Sequence, residues 1–267
     1  MIVAMLTAGV VAAMLLVMTG GWLTQRALRN GGWIDVFWAF GTGAACAVAA
    51  LAPWQTEPHA AWRRIMVSAM VAAWGLRLGT YLALRVSGAK AEDPRYAALR
   101  REWGSSFNKR LYGPMIVQAP ISAVLGLCVL IAARENHPAF RVQDAVGLAV
   151  FVLSLAGETL ADAQMSAFRS DPANRGKVCD RGLWAWSRHP NYFFEIGVWL
   201  ALPILAIDPN GPRSFVSILA PVLMYLMLRH ASGVPTLEEA MLRTRGDAYR
   251  RYQEKVSVLI PLPPRRG

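Results

Sequence analysis

Residues Met1–Leu23 read MIVAMLTAGVVAAMLLVMTGGWL, and the first charged side chain appears only at Arg26. A helix of roughly 20 apolar residues crosses a bilayer core, so this stretch is long enough to span. It lacks the basic start and the small-residue cleavage site of a secretory leader, which predicts that it is kept as a helix. Working outward, the same criterion finds further apolar runs at Trp33–Pro53, Ile65–Leu84, Tyr112–Ala133, Ala145–Ala161, Tyr192–Ile207 and Ser214–Leu228. The last three are short, so their ends are expected to be sheltered by protein or tilted. The predicted fold class is all-α: a polytopic membrane protein with about seven transmembrane helices.

Composition agrees. The 267 residues are 55% hydrophobic and only 17% charged, with a mean hydropathy of +0.32. Soluble domains average about 25% charged residues, and disordered chains are poorer in apolar ones. A soluble globule and a disordered tail are therefore both excluded. The net charge of +11 would in a soluble chain suggest nucleic acid, but its distribution has a topological explanation. With the N-terminus outside, loops one, three and five and the C-terminal tail hold 22 of the 28 Lys and Arg residues. Basic residues gather in cytoplasmic loops, which predicts N-outside, C-inside and no nucleic-acid partner.

The three cysteines, Cys46, Cys128 and Cys179, are far apart and odd in number. That pattern gives neither a disulfide framework nor a zinc knuckle, and no metal is expected. Residues 1–133 are apolar runs around one long basic loop. From Ala145 onward the runs shorten and the polar segments lengthen.

Charged groups inside spans are costly and tend to be functional. Asp35 sits two residues into the second run, as a headgroup-level carboxylate, an ion pair with Arg29 or Arg77, or a functional acid. Arg77, Tyr81 and Arg85 recur every four residues and share one helix face, either as a structural pair or as the polar wall of a cavity. Glu158 and Asp162 repeat that spacing, with Gln164 and Arg169 close by. The densest cluster is Asp180-Arg-Gly-Leu-Trp-Ala-Trp-Ser-Arg-His-Pro-Asn-Tyr-Phe-Phe-Glu195. Pro190 suits a first helical turn with Ser187 or His189 near the cap, and free N–H groups there, with Arg188 and Asn191, suit a phosphate or carboxylate. In the tail, Pro235-Thr-Leu-Glu-Glu239 predicts a helix capped by Thr236, with Glu239 closing a capping box and Glu238 left for function. Tyr249 and Tyr252 either dock that tail or flank a cofactor.

Several of these motifs together resemble the steroid 5α-reductase family, and more closely its bacterial branch of largely uncharacterised membrane proteins. They are Glu158-x-x-x-Asp162-x-Gln164, Asn174-Arg-Gly-Lys177, Gly182-Leu-Trp184, Ser187-Arg-His-Pro-Asn-Tyr192-x-x-Glu195, Gly233-Val-Pro-Thr-Leu-Glu-Glu239 and Gly246-x-x-Tyr249-x-x-Tyr252 before Ile260-Pro261. Trp74-Gly-Leu-Arg-Leu78 and Glu92-Asp-Pro-Arg-Tyr96 followed by Trp103 are similar to that branch as well.

The resemblance implies one membrane domain whose helices in residues 1–133 form a cavity for a lipid substrate, while residues 134–267 bind NADPH. Its implied activity is hydride transfer to the C=C bond of a hydrophobic enone, such as a 3-oxo-Δ4-steroid. The implied cofactor residues are Asp162, Arg169, Lys177, Arg188, His189, Asn191, Tyr192, Glu195, Arg229 and Glu238. The implied catalytic pair is Tyr81, donating to the substrate carbonyl, and Asp35. The family's steroid-binding glutamate has no match, since Glu57 falls in a short outer loop. The implied location is a bacterial inner membrane with the cofactor site facing the cytoplasm. The run Arg188-His-Pro, the following Glu-Glu helix and the closing Tyr-x-x-Tyr are also similar to isoprenylcysteine carboxyl methyltransferases. On that alternative, S-adenosylmethionine replaces NADPH.

Overall fold

The computed structural model describes residues 1–52, 61–89, 91–135 and 139–265; Pro53 and Glu57 lie outside them. The described chain is helical: α1 Ile2–Leu28, α2 Gly32–Leu51, α3 Ala61–Ser87, α4 Pro94–Trp103, α5 Phe107–Ile116, α6 Gln118–Arg134, α7 Val142–Ser170, α8 Pro190–Ala206, α9 Leu219–Leu226, α10 Val234–Arg245 and α11 Asp247–Lys255. Among the described residues, isolated bridges at Ser187–Ser257 and Asp208–Gly211 take the place of sheet. Among the described residues, six helical stretches are long and apolar enough to cross a membrane: α1, α2, α3, Pro94–Arg134, α7 and Pro212–Arg245. Helix α8, the remaining apolar run, has only 17 residues. The protein is thus an all-α polytopic membrane protein.

Two expectations about local structure change. The segment read as one long basic loop contains a helix: Asp93 caps α4 by accepting from the Arg95 amide, and Pro94 fills the first turn, where its missing N–H costs nothing. The last apolar run is not one α-helix. A 3₁₀ segment, Pro212–Ile218, precedes α9, and a π-turn, Met227–Ala231, follows it. Apolar count reports length but not hydrogen-bond register, so the run of side chains concealed three backbone geometries.

The chain divides into two compact units. Unit 1 comprises Met1–Asp144 and Leu202–Ala220. Its helices α2 and α3 cross closely because Gly43 meets Gly75; a Cβ added at Gly43 would lie 2.7 Å from the Gly75 Cα. Small residues at such crossings let backbones approach where lipid gives no hydrophobic drive. Buried hydroxyls satisfy one another: Thr42 and Ser122 are 2.9 Å apart, and the Trp38 indole donates to Ser122 at 3.1 Å. Cys46 and Cys128 are buried packing residues.

Unit 2 comprises Ala145–Ala201 and Pro221–Gly267. Gly157 lies against the Phe194 ring, where a Cβ would approach within 2.4 Å, so α7 packs closely on α8. Gly246, at φ 52°, makes the left-handed turn between α10 and α11, a conformation open to glycine at little cost.

Candidate functional site

In unit 2, Pro190 opens α8 and the Tyr192 and Phe193 amides donate back to the His189 carbonyl. Ser187 accepts from the His189 amide at 3.1 Å and donates to the Leu259 carbonyl at 2.8 Å. The capping segment is thereby tied to the C-terminal tail. More bonds fasten it: the Arg188 amide to the Ser257 carbonyl at 2.8 Å, and the Tyr252 hydroxyl to the Trp184 carbonyl at 2.5 Å.

Arg188 is buried at the centre of this strap. Its Nε donates to Glu238 Oε1 at 2.7 Å and its Nη2 to Glu238 Oε2 at 3.3 Å. Nη1 reaches the carbonyls of Gln253 and Val256 at 2.9 and 2.7 Å. Glu238 also accepts from the Gln253 amide at 2.7 Å and lies 3.1 Å from His189 Nε2. A fork-to-carboxylate pair of this kind combines energy with fixed geometry. Burial pushes the His189 imidazole down from its ordinary range, against the Glu238 carboxylate, and the charges of Arg188 and Arg229 push the same way. Tyr249, facing Glu238 and Arg188, is pushed up by burial.

On the far side of this latch, His189 stacks on Tyr192 with ring centroids 5.3 Å apart and planes 8° from parallel. One residue before Tyr192, the Asn191 side-chain amide donates to Asp162 of α7 at 3.3 Å. Glu195, a turn later and buried, accepts from the Trp199 indole at 2.9 Å. Gln164 holds the approach to the segment by accepting from the Leu183 amide at 2.9 Å. Arg169 and Lys177 are exposed, and Arg229 is half-buried in the π-turn.

The tail helix starts differently from expectation. Gly233 precedes it without a side-chain cap. Thr236 instead donates to the Ser232 and Gly233 carbonyls, and Glu239 pairs with Arg243. The expected capping box is absent, and Glu238 is the acid with a tertiary role.

In unit 1, both Asp35 oxygens are engaged. Oδ2 takes Arg95 Nη2 at 2.7 Å and Oδ1 takes the Tyr96 hydroxyl at 2.8 Å. Arg95 also binds Asp93 at 3.0 Å, and Asp93 binds Arg85 at 2.6 Å. The network therefore runs from the start of α2 through α4 to the end of α3. Its partner for Asp35 is Arg95, not Arg29 or Arg77. Glu92 adds a second tie, accepting from the Gly31 amide at 2.7 Å and pairing with Arg100 at 2.8 Å. Tyr81 is half-buried on α3, and the Arg77 guanidinium lies 5.6 Å from its ring centroid.

Sequence reasoning missed a third cluster. Arg63, fully buried, pairs with fully buried Asp144 and donates to the Leu205 carbonyl at 3.2 Å. Arg141 binds the same carboxylate at 3.1 Å and the same carbonyl at 3.0 Å. Both Arg63 and Asp144 fell just outside the predicted apolar runs, and no local spacing joins residues so distant in sequence. Among the described residues, no three His, Cys, Asp or Glu side chains gather as a metal site.

A family described as "Protein of unknown function (DUF1295)" matches residues 21–256. An uncharacterised protein of the fission yeast Schizosaccharomyces pombe is 25% identical over 223 residues, which is 74% of this chain and 64% of the yeast protein. The chain thus spans about 64% of the length of the curated relative it matches. No solved structure matches.

Proposed function

The chain belongs to the DUF1295 family, which includes steroid 5α-reductase-like membrane proteins, and from that premise we propose an NADPH-dependent membrane reductase acting on the C=C bond of a hydrophobic enone. The observation that carries this reading is the first turn of α8. There a buried latch holds a stacked His189–Tyr192 pair beside Asn191 and Asp162.

The donor set fits a dinucleotide. Arg169, Lys177 and Arg229 offer cations for phosphates, and a helix start favours anions. The His189–Tyr192 stack offers a flat aromatic surface, and Asp162, Asn191 and Glu195 offer polar partners for hydroxyl and amide groups. Arg188 and Glu238 serve the site differently from a direct contact. Each Arg188 nitrogen is engaged within unit 2, so this pair positions the turn. Bound NADPH would supply hydride to the β-carbon of the enone.

In unit 1, Tyr81 would donate a hydrogen bond to the substrate carbonyl as negative charge develops on its oxygen, an oxyanion-type stabilisation. Arg77 over its ring would fix the phenol's orientation. Asp35, bound on both oxygens, would brace α2 against α4 and not move a proton. The charge distribution supports a cytoplasmic cofactor site, because the cations concerned lie in segments that the positive-inside bias assigns to that face.

The test is thermal unfolding of the detergent-purified protein with NADPH, NADH or S-adenosylmethionine. A ligand that binds only the folded state raises its stability by mass action. NADPH is expected to raise the melting temperature most. Stabilisation by S-adenosylmethionine alone would overturn the reductase reading in favour of a methyltransferase.

A further inference from the structure

We propose that the seam between α1 and α5 in unit 1 binds the headgroup of an anionic phospholipid, a site independent of the reductase reading. The two helices are fastened by polar bonds where the uncharged part of α1 ends. The Trp22 indole donates to the Asn108 carbonyl at 2.8 Å, and Gln25 Nε2 donates to Asn108 Oδ1 at 3.0 Å. The Trp22 and Tyr112 rings meet edge to face at 5.3 Å. Tryptophan and tyrosine concentrate at the membrane–water interface, so this pair marks headgroup depth.

Cations sit directly around that mark. The Arg26 guanidinium lies 4.7 Å from the Trp22 ring centroid. Arg29 follows one turn beyond Gln25. Lys109 neighbours Asn108 and shares a flank of α5 with Tyr112, three residues on. Arg26, Arg29 and Lys109 are all exposed, and among the described residues none is paired with an acid. This sets them apart from Arg85, Arg95 and Arg100 nearby, each of which holds a carboxylate.

Toward the membrane, α1 exposes Leu15, two turns before Trp22 on the same face, at 37% of its surface, and the chain exposes Val117 just after α5. The seam therefore offers an apolar strip for acyl chains ending in unpaired positive charge beside an aromatic pair. That order of chemistry matches a glycerophospholipid whose headgroup carries net negative charge. A zwitterionic headgroup would bring a cation to the same arginines.

The test uses full-length protein in nanodiscs of phosphatidylcholine alone or doped with phosphatidylglycerol, with melting followed by tryptophan fluorescence. Phosphatidylglycerol is expected to raise the melting temperature. The Arg26→Gln/Lys109→Gln variant should lose that rise while melting as the parent does in phosphatidylcholine. Arg110→Gln should keep it, because Arg110 is two positions from Tyr112 and faces another side of α5. Arg29→Gln alone should weaken phosphatidylglycerol binding about fivefold, from roughly 1 kcal/mol per basic residue near a charged surface. No rise in the parent, or an undiminished rise in the double variant, would overturn the proposal. So would an equal rise from inorganic phosphate in phosphatidylcholine discs, which would mark a free-anion site.

Discussion

In unit 1, Arg63 and Asp144 are both fully buried, and the Asp144 oxygens are filled by Arg63 and Arg141. In unit 2, Arg188 and Glu238 are almost as deeply buried, but the carboxylate is shared with Gln253 and with His189, which stacks on Tyr192. The first cluster closes on itself around the carboxylate, and Arg63 and Arg141 each send one further donor to the Leu205 carbonyl at the end of α8. The second is open on one side, toward the turn that carries Asn191. Buried ion pairs are weak evidence for stability in themselves. Where the chain of partners ends says more: the closed cluster locks helix ends, and the open one aims a surface.

The comparison is most easily broken at Asp144. Asp144→Ala leaves Arg63 buried without its counter-charge and should cost about 3–5 kcal/mol, read as a large drop in melting temperature in detergent. Joint replacement, Arg63→Met with Asp144→Leu, should recover most of that loss, because the desolvation penalty disappears with the charges. Arg188→Ala should cost less, about 2–3 kcal/mol for hydrogen bonds to a charged group, since Glu238 keeps Gln253 and His189. On the proposed reductase reading it should also abolish stabilisation by NADPH, which Asp144→Ala, in whatever protein folds, should leave intact. If the two variants lose cofactor binding equally, the distinction between locking and aiming fails.

The same contrast shows what was legible in the chain. The apolar runs near α1, α2, α3 and α7 could be placed from side chains alone, because a spanning helix must carry its own apolar length. The run from Ser187 to Glu195 was also visible, through Pro190 and the dense polar sequence around it. Its partner was not. Glu238 lies fifty residues away, and local spacing pointed to Glu239 as the structured acid. Asp35 was visible as a charge out of place, but Arg95 was counted among loop cations. Helix α4 did carry a local signal, Asp93 followed by Pro94, which a search for apolar length passes over.

Acid provides a graded test of the open cluster. Burial holds His189 below the ordinary value of 6.5, so the folded protein resists a proton that the unfolded chain accepts. The stability this confers is complete above that ordinary value and is lost as pH falls from it toward the folded value. Melting temperature should therefore decline between neutral and mildly acidic pH, and His189→Gln should flatten the decline. A profile unchanged by His189→Gln would place the acid sensitivity elsewhere and remove the imidazole from the latch.

The smallest effect is expected at Asp35, and it sharpens the comparison by adding a cluster that is only partly buried. The side chains of Asp35 and Arg95 keep 25% and 28% of their surface exposed, so water can replace much of what the pair provides. Arg95 also retains Asp93 through two nitrogens, and an asparagine still offers an acceptor to the Tyr96 hydroxyl. Asp35→Asn should consequently cost about 1 kcal/mol or less. In the proposed reductase, turnover should survive this change while Tyr81→Phe lowers it without weakening the cofactor's thermal shift. A large loss of turnover in Asp35→Asn with little loss of stability would reverse the assignment, making Asp35 a proton-handling acid whose bonds to Arg95 and Tyr96 give way when substrate binds.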